Sequence, residues 1–128
     1  MRHTVRLLLP LFFLSFLCAT DARGQAFECT QVMVAMRDGV KLATDVYLPS
    51  RQGPGPFPVV IERTPYNKGN CGNASAQYFA KRGYVAIVQD ERGRFNSDGE
   101  YYWLRDEGWG ERRDGYDTIE WAAVQPWS

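Results

Sequence analysis

Histidine is almost absent from this chain of 128 residues, because His3 is the only one. A Ser-His-Asp or Cys-His catalytic site needs a histidine base. Residues 4–128 therefore cannot assemble such a site by themselves, and the candidate nucleophiles Ser75, Ser97 and Ser128 find no base there. A charge excess of either sign is also missing, since 15 basic residues balance 15 acidic ones. Nucleic-acid binding is not expected, because it requires a basic face.

Long hydrophobic runs are missing except at the amino end. Residues 7–17 are predominantly apolar, follow a basic segment and precede Gly24-Gln25-Ala26, whose small residues suit a signal peptidase. This pattern predicts a secretory signal peptide over residues 1–26, which is too short to span a membrane as a helix. The bulky residues before Cys18 argue against a lipoprotein anchor there. We expect cleavage after Ala26 and a secreted or periplasmic mature chain, residues 27–128, without stable membrane insertion.

Cysteines and metal ligands are few. Beyond the predicted signal peptide only Cys29 and Cys71 remain. Export permits a disulfide between them, but two cysteines without a framework leave a disulfide and two free thiols equally open. Asn96, Asp98 and Glu100 carry oxygen ligands, but they are too few and wrongly spaced for a calcium loop. The sequence predicts no metal and no cofactor.

The mature chain begins with the pattern of an antiparallel hairpin. Residues 30–36 and 40–48 alternate partly between apolar and polar side chains, which is typical of strands. Arg37-Asp38-Gly39 separates them, and Asp-Gly favours a hairpin turn because glycine tolerates positive φ. A loop rich in proline and glycine then leads to the third strand.

Two short apolar runs then bound a helical segment. They lie within residues 57–68, FPVVIERTPYNK, and residues 84–89, YVAIVQ. Apolar runs of this length are typical of strands buried on both faces. Strand, helix and strand at this spacing form a βαβ unit with parallel strands and a right-handed crossover. The fold class is therefore α/β with a mostly parallel sheet after the hairpin.

Two helices are predicted from cap residues and apolar spacing. The first begins at Asn73 or Ser75 and ends near Arg82, before Gly83, and the second spans residues 111–124. Their inward faces are predicted from apolar positions: Tyr78, Phe79 and Ala80 in the first helix, and Tyr116, Ile119, Ala123 and Val124 in the second.

Charged residues follow both predicted parallel strands, at the edge where ligands bind in such sheets. Glu62-Arg63 ends the first strand and Asp90-Glu91-Arg92 follows the second. Acid–base chemistry is one interpretation. The favoured interpretation is that these charges pair with one another and hold loops. Residues 90–110 form a long polar loop, and long loops in compact domains are usually functional or disordered.

Four blocks of sequence carry a more specific pattern when they are taken in order. They are MRDGVKLATDVYLP, PFPVVIERTPYNK, FAKRGYVAIVQDERGRFNSDGEY and DGYDTIEWAAVQPWS. Over residues 32–128 the chain resembles the X-Pro dipeptidyl-peptidase and cocaine-esterase family of α/β-hydrolases. The resemblance implies an exported serine hydrolase that acts on small-molecule ester, amide or X-Pro peptide substrates without a cofactor. It also implies that this chain is the N-terminal portion of the α/β-hydrolase fold, ends before the nucleophile elbow and is inactive alone.

The resemblance also implies a role for Tyr66. In that family a tyrosine hydroxyl in an Arg-x-Pro-Tyr motif helps the backbone N–H after the nucleophile to stabilise the oxyanion. Residues 63–66, Arg-Thr-Pro-Tyr, match this motif. Without the resemblance, Tyr66 is interpreted as a cap on a strand end. Asn67 departs from the aspartate that is common after the tyrosine, so substrate contacts beside Tyr66 are not carried over.

Two further expectations complete the sequence-based interpretation. Asp90-x-Arg92-Gly93 matches a family loop, and we expect Asp90 and Arg92 to bind loop backbone as scaffolding. The alternative function is a small secreted module that binds a sugar or peptide through the aromatic residues 101–103. The βαβ pattern argues against this alternative, because two buried strands require more sheet beside them.

Overall fold

One mixed β-sheet carries the fold of the described residues. The structure, a computed structural model, describes residues 26–128. The predicted signal peptide, residues 1–26, therefore lies outside the described part apart from Ala26. The strands are β1 (Phe27–Ala35), β2 (Lys41–Pro49), β3 (Val59–Thr64) and β4 (Val85–Asp90), and the helices are α1 (Ala74–Ala80) and α2 (Asp114–Ala123).

The strand order is β1-β2-β4-β3. β1 and β2 pair antiparallel across the predicted turn, in which Gly39 has a φ of +84° that glycine adopts without strain. β4 lies antiparallel to β2 and parallel to β3. The predicted hairpin and the predicted parallel pair of a βαβ unit are both confirmed.

β4 is the central strand and is buried along its whole length. Ala86 and Val88 join a core cluster with α1, while Val85 and Ile87 join another cluster with α2. Successive side chains of a strand point to opposite faces, so a strand covered on both faces is apolar throughout. The same burial was predicted for β3 and is wrong, because β3 lies at the edge of the described sheet and is half-exposed.

Helix α1 is shorter than predicted and buries a different face. Asn73 caps it, since its side-chain oxygen accepts a hydrogen bond from the backbone N–H of Ala76 at 3.0 Å. Ala76 and Ala80 lie against the sheet, whereas Tyr78 and Phe79 are exposed. The predicted inward face is therefore correct only at Ala80. Small side chains four residues apart bring the helix close to the sheet, and the aromatic rings turn away.

Helix α2 also buries a face that hydrophobicity does not predict. It starts at Asp114 rather than at position 111, and its buried residues are Asp114, Thr118 and Ala122. The predicted apolar stripe, including Tyr116 and Ile119, is exposed. This prediction is wrong because two of the three buried side chains are polar and find their partners in other parts of the chain.

The two cysteines left open by the sequence form a disulfide. Cys29 in β1 and Cys71 in the loop before α1 are joined, with Cα atoms 5.9 Å apart. Within residues 26–128, these cysteines and Asp45 are the only group of potential metal ligands close enough to share an ion. Because the sulfurs are bonded to each other, they cannot act as thiolate ligands. Among the described helices, none has the length and apolar character to span a membrane.

Candidate active site

The carboxyl ends of β3 and β4 meet at one edge of the sheet. The strands are parallel and in register, with Thr64 opposite Asp90. The backbone N–H of Glu91 donates to the carbonyl oxygen of Thr64 at 3.0 Å, so the two loops leave the sheet side by side. Tyr66 and Glu91 therefore lie near the edge at which ligands bind in open α/β sheets.

The backbone around Tyr66 is held on both sides of the residue. The N–H of Tyr66 donates to the hydroxyl of Thr64 at 3.1 Å. Arg94, in the loop after β4, donates from Nε to the carbonyl oxygen of Pro65 at 2.9 Å. The proline ring further restricts the turn. These contacts fix where the tyrosine side chain leaves the backbone.

The ring of Tyr66 itself is free. The residue is 81% exposed, and its hydroxyl makes no hydrogen bond with the residues that the structure describes. A buried tyrosine hydroxyl normally finds a partner within the fold. Here the phenol is instead available to a ligand. The structure thus places the predicted site residue at the expected edge, with an accessible donor on a held backbone.

Buried charges anchor the loop of residues 67–73, which follows the tyrosine. Asp90 accepts a hydrogen bond from the backbone N–H of Lys68 at 2.7 Å, which confirms its predicted scaffolding role. Lys68 Nζ lies 2.7 Å from Asp45 Oδ1, and both side chains are almost fully buried. Asp45 also accepts from the backbone N–H of Cys71 at 2.6 Å. Since removing one partner of a buried ion pair is strongly destabilising, this loop is firmly attached to β2.

Arg92 makes two bidentate ion pairs. Its Nε and Nη2 donate to Asp114 at 2.8 and 2.6 Å, and Nη1 and Nη2 donate to Asp38 at 2.8 and 3.1 Å. The hydrogen bonds to Asp114, and then those to Asp38, raise the pKa of Arg92, while the bond from Arg92 lowers the pKa of Asp38. The charges that follow β3 and β4 were predicted to pair with one another, and this is wrong: Arg92 pairs with Asp114 and Asp38, and Arg63 with Glu107, all of which lie in other segments. The expected contact of Arg92 with loop backbone is wrong, because α2 and the hairpin turn supply carboxylates.

Gln89 connects four elements beneath the edge. Its buried amide donates from Nε2 to Thr44 at 3.0 Å, and its Oε1 accepts from Arg63 at 2.7 Å. The hydroxyl of Thr118 lies 2.8 Å from the same oxygen. Arg63 also pairs with Glu107. The arginine of the Arg-x-Pro-Tyr motif is therefore occupied inside the fold rather than directed at a ligand.

Glu91 is the exception among these charges. It is 9% exposed, and its carboxyl group makes no hydrogen bond or ion pair with residues 26–128. Because no buried side-chain oxygen in this range lacks a hydrogen-bond partner, the carboxyl oxygens of Glu91 must be open to solvent. Burial, and then the nearby carboxylate of Glu107, raise the pKa of Glu91, while Arg63 and Arg94 oppose this change. The fold thus holds a carboxyl group at this edge without a partner.

Ser97, one of the candidate nucleophiles, has a structural position. It is buried, and its hydroxyl donates to the carbonyl oxygen of Asp90 at 2.7 Å. The hydroxyl oxygen of Ser97 in turn accepts a hydrogen bond from the backbone N–H of Ala43 at 2.8 Å. Both hydrogen-bonding functions of the hydroxyl are used to join the loop to β2.

Several residues that build the site were missed by sequence reasoning. Asp45, Lys68, Gln89 and Thr118 are fully buried polar side chains. The only signal was a polar residue inside an apolar run, as Asp45 is in LATDVYL and Gln89 is in YVAIVQ. Such residues are buried only when hydrogen-bonded, and their partners lie far away in sequence.

The hairpin, the parallel strand pair and the helices on both faces of the sheet define a fold of the α/β-hydrolase class. Solved structures agree with this assignment. An α-amino acid ester hydrolase is 32% identical with a TM-score of 0.62, covering 76% of this chain and 19% of its own. A CocE/NonD family hydrolase from Staphylococcus aureus is 27% identical with a TM-score of 0.65, covering 80% and 21%.

Residues 38–128 match the X-Pro dipeptidyl-peptidase (S15) family, and the chain belongs to that family. A cocaine esterase from Rhodococcus sp. (strain MB1 Bresler) is 40% identical over 109 residues, covering 81% of this chain and 18% of that protein. The family resemblance inferred from the four sequence blocks is confirmed. The chain spans about a fifth of the length of the relatives that it matches.

Proposed function

We propose that this chain supplies an oxyanion-stabilising tyrosine and its supporting scaffold to a serine hydrolase that cleaves acyl ester or X-Pro amide bonds. The proposal rests on the position of Tyr66. Its ring is 81% exposed at the edge where β3 and β4 end, while hydrogen bonds hold its backbone on both sides. Membership in the S15 family supplies the reaction type.

The chemistry requires a donor in this position. When a serine attacks an acyl carbonyl, the carbonyl oxygen becomes an oxyanion, which donors stabilise best when they are already in place. The phenol of Tyr66 donates one hydrogen bond to that oxygen. The second donor in the family pattern is a backbone N–H beside the nucleophile, which lies outside the motifs of this chain. Thr64 and Arg94 contribute by keeping the tyrosine backbone in one position.

Residues 27–128 should have no hydrolase activity by themselves. They contain no histidine, so they hold no base for a serine nucleophile. We therefore place the nucleophile, base and acid in a complete enzyme, meaning the polypeptide as its gene encodes it. Activity of purified residues 27–128 that a serine-directed fluorophosphonate abolishes would contradict this division of roles.

The complete enzyme provides the main test. A p-nitrophenyl ester and an X-Pro anilide would be offered as substrates, with and without fluorophosphonate. We expect turnover of at least one substrate and its loss after labelling of one serine. Absence of turnover together with absence of labelling would overturn the proposed function.

Export is part of the same proposal. The basic and apolar pattern of residues 1–26 supports a signal peptide, and a disulfide between Cys29 and Cys71 suits an oxidising compartment. N-terminal sequencing of the protein from the periplasm or medium should then begin at Phe27. Accumulation of unprocessed protein in the cytoplasm would contradict export.

The alternative function, a sugar- or peptide-binding module, has one observation in its favour. Trp103 and Trp109 are 70% and 83% exposed in the loop between β4 and α2, and exposed aromatic side chains are typical of binding surfaces. Titration of tryptophan fluorescence with oligosaccharides and with prolyl peptides would detect such binding. Saturable binding in a protein that fluorophosphonate does not label would favour this alternative.

A further inference from the structure

The loop of residues 67–73, which directly follows Tyr66, is joined covalently to the edge of the sheet. A disulfide links Cys71 in this loop to Cys29 in β1, which is an edge strand. Both cysteines are half-buried, so a small dithiol can reach the bond. β1 also contacts the loop through an exposed side-chain hydrogen bond. The disulfide is therefore the stronger of these two links between the strand and the loop.

The backbone of this loop is held in a conformation that most residues avoid. Four of its first five residues have positive φ: Asn67 at +87°, Gly69 at +93°, Asn70 at +47° and Cys71 at +66°. Glycine adopts positive φ without strain, and asparagine tolerates it better than most residues. Cysteine has neither advantage, so Cys71 has to be held by its surroundings. Its disulfide and the hydrogen bond from its N–H to Asp45 hold it there.

Asp45 connects Cys71 to the backbone beside Tyr66. Its Oδ2 accepts from the N–H of Cys71 at 2.6 Å, and its Oδ1 pairs with Lys68 Nζ at 2.7 Å. The backbone N–H of Lys68, two residues after Tyr66, donates to Asp90 at 2.7 Å. A displacement of Cys71 would change the surroundings of Asp45 and therefore the position of Lys68. The conformation at Cys71 is thus coupled to the position of the proposed oxyanion donor.

We propose that the disulfide between Cys29 and Cys71 positions Tyr66 for catalysis, and that its reduction by a dithiol lowers the rate reversibly. The step is thiol–disulfide exchange: a thiolate of the dithiol attacks one sulfur, and the second thiol then displaces the other. The dithiol is oxidised to a disulfide by two electrons, which with two protons leave Cys29 and Cys71 as thiols. Cys71 then returns to negative φ, and Tyr66 is in position only part of the time. This inference rests on the proposed function, which gives Tyr66 its role.

The test measures kcat and KM of the complete enzyme for a p-nitrophenyl ester before reduction with dithiothreitol, after it, and after reoxidation with oxidised glutathione. The temperature is one at which tryptophan fluorescence shows that the reduced protein is folded. We expect kcat to fall about tenfold, which corresponds to about 1.4 kcal/mol, with KM little changed and with recovery on reoxidation. This loss is smaller than that of a missing oxyanion donor, because the tyrosine is still present.

Two variants show whether the effect belongs to this bond and acts through Tyr66. The double variant Cys29→Ser/Cys71→Ser should have the low kcat and no response to dithiothreitol, which controls for cysteines elsewhere in the complete enzyme. In Tyr66→Phe, reduction should hardly change kcat further, because the positioned group is already lost. An undiminished loss in the Tyr66→Phe background would make the bond merely structural and overturn the proposal. An unchanged kcat of the unaltered enzyme after complete reduction would overturn it as well.

Hydrogen exchange followed by mass spectrometry keeps the inference separate from the proposed function. Most backbone N–H groups of the loop donate hydrogen bonds, namely those of Lys68, Gly69, Cys71, Gly72 and Asn73. Reduction should speed exchange in residues 67–73 and leave α2 protected. If the ester is not hydrolysed but exchange changes in this way, the proposed function fails and the coupling between disulfide and loop stands. Unchanged exchange in the loop, or faster exchange throughout residues 26–128, would overturn the inference.

Discussion

Two neighbouring parts of the molecule differ in whether their polar groups have partners within the fold. The first, called the paired network here, consists of Arg37, Asp38, Arg92, Asp114 and Asp117, and each of its charges has a partner of opposite sign. The second, called the open edge, consists of Tyr66 and Glu91, whose hydroxyl and carboxyl groups make no hydrogen bond or ion pair with the described residues and are open to solvent. Both lie at the end of the sheet from which the loops leave.

The difference indicates which part serves the fold and which part serves a ligand. The paired network joins the hairpin turn to the start of α2, so its loss should affect stability. The open edge leaves polar groups exposed or unpaired on a held backbone, so its loss should affect chemistry and leave the fold intact. Groups with shifted pKa values cluster at functional sites, and the pKa of Glu91 is raised.

The largest expected effect is on the paired network. Arg92→Met leaves the buried Asp114 and also Asp38 without their main partner, and such a change in a buried pair costs about 3–5 kcal/mol. Urea unfolding followed by tryptophan fluorescence would measure the loss. Arg82→Met, at an exposed arginine, is the matched control and should change stability by about 0.5 kcal/mol or less. Equal stability of Arg92→Met and the unaltered protein would show that the network does not hold the fold.

The next largest effect is on the open edge and should appear in catalysis alone. In the complete enzyme Tyr66→Phe removes one oxyanion donor, so kcat should fall roughly 10²–10³-fold, about 2.7–4 kcal/mol, with KM little changed. Tyr84→Phe, at a partly exposed tyrosine beside α1, is the control. A kcat equal to that of the unaltered enzyme would remove Tyr66 from the site, and a raised KM alone would make it a ground-state binding residue.

A smaller effect on catalysis is expected at Arg94, which belongs to neither part but supports the open edge. Its hydrogen bond to the carbonyl oxygen of Pro65 holds the backbone before Tyr66. Arg94→Ala should lower kcat by about tenfold or less, since one hydrogen bond contributes about 1 kcal/mol. The same substitution in a Tyr66→Phe background should then have almost no further effect. An undiminished effect in that background would show that Arg94 does not act through Tyr66.

The smallest effect is on the pH dependence of folding stability, which should have opposite signs in the paired network and at the open edge. The hydrogen bond from Arg37 lowers the pKa of Asp117, so this carboxylate stabilises the fold above its unfolded pKa, and the gain is lost as the pH falls. The pKa of Glu91 is raised by burial and then by Glu107, against Arg63 and Arg94. Its charge therefore destabilises the fold at neutral pH, and the penalty disappears as the pH falls below its unfolded pKa.

Thermal unfolding of two variants as a function of pH measures this difference. Asp117→Asn should lower Tm at neutral pH, and its deficit should shrink in acid. Glu91→Gln should raise Tm at neutral pH, and its advantage should shrink in acid. Deficits of the same sign in both variants would show that Glu91 is a paired structural carboxylate after all.

Much of the fold was predictable because its signals are local. Alternation and the Asp-Gly turn predicted the hairpin, and the apolar runs predicted the parallel pair of β3 and β4. Asn73 was one of two predicted caps, and it is the residue that caps α1. The family resemblance of the Arg-Thr-Pro-Tyr motif identified Tyr66 as a candidate site residue. The parallel strands place Tyr66 at the predicted edge of the sheet. Its catalytic role stays a prediction.

The remaining features depend on pairs of residues that are distant in sequence. The sequence alone determined the elements, their directions and the motif, because backbone propensity and side-chain periodicity act over a few residues. Only the tertiary structure decided that β4 rather than β3 is central, that α2 buries Asp114 and Thr118, and that Glu91 lacks a partner. The physical reason is that the burial of a polar group depends on which donor or acceptor reaches it, and that partner is brought near only by the folded chain.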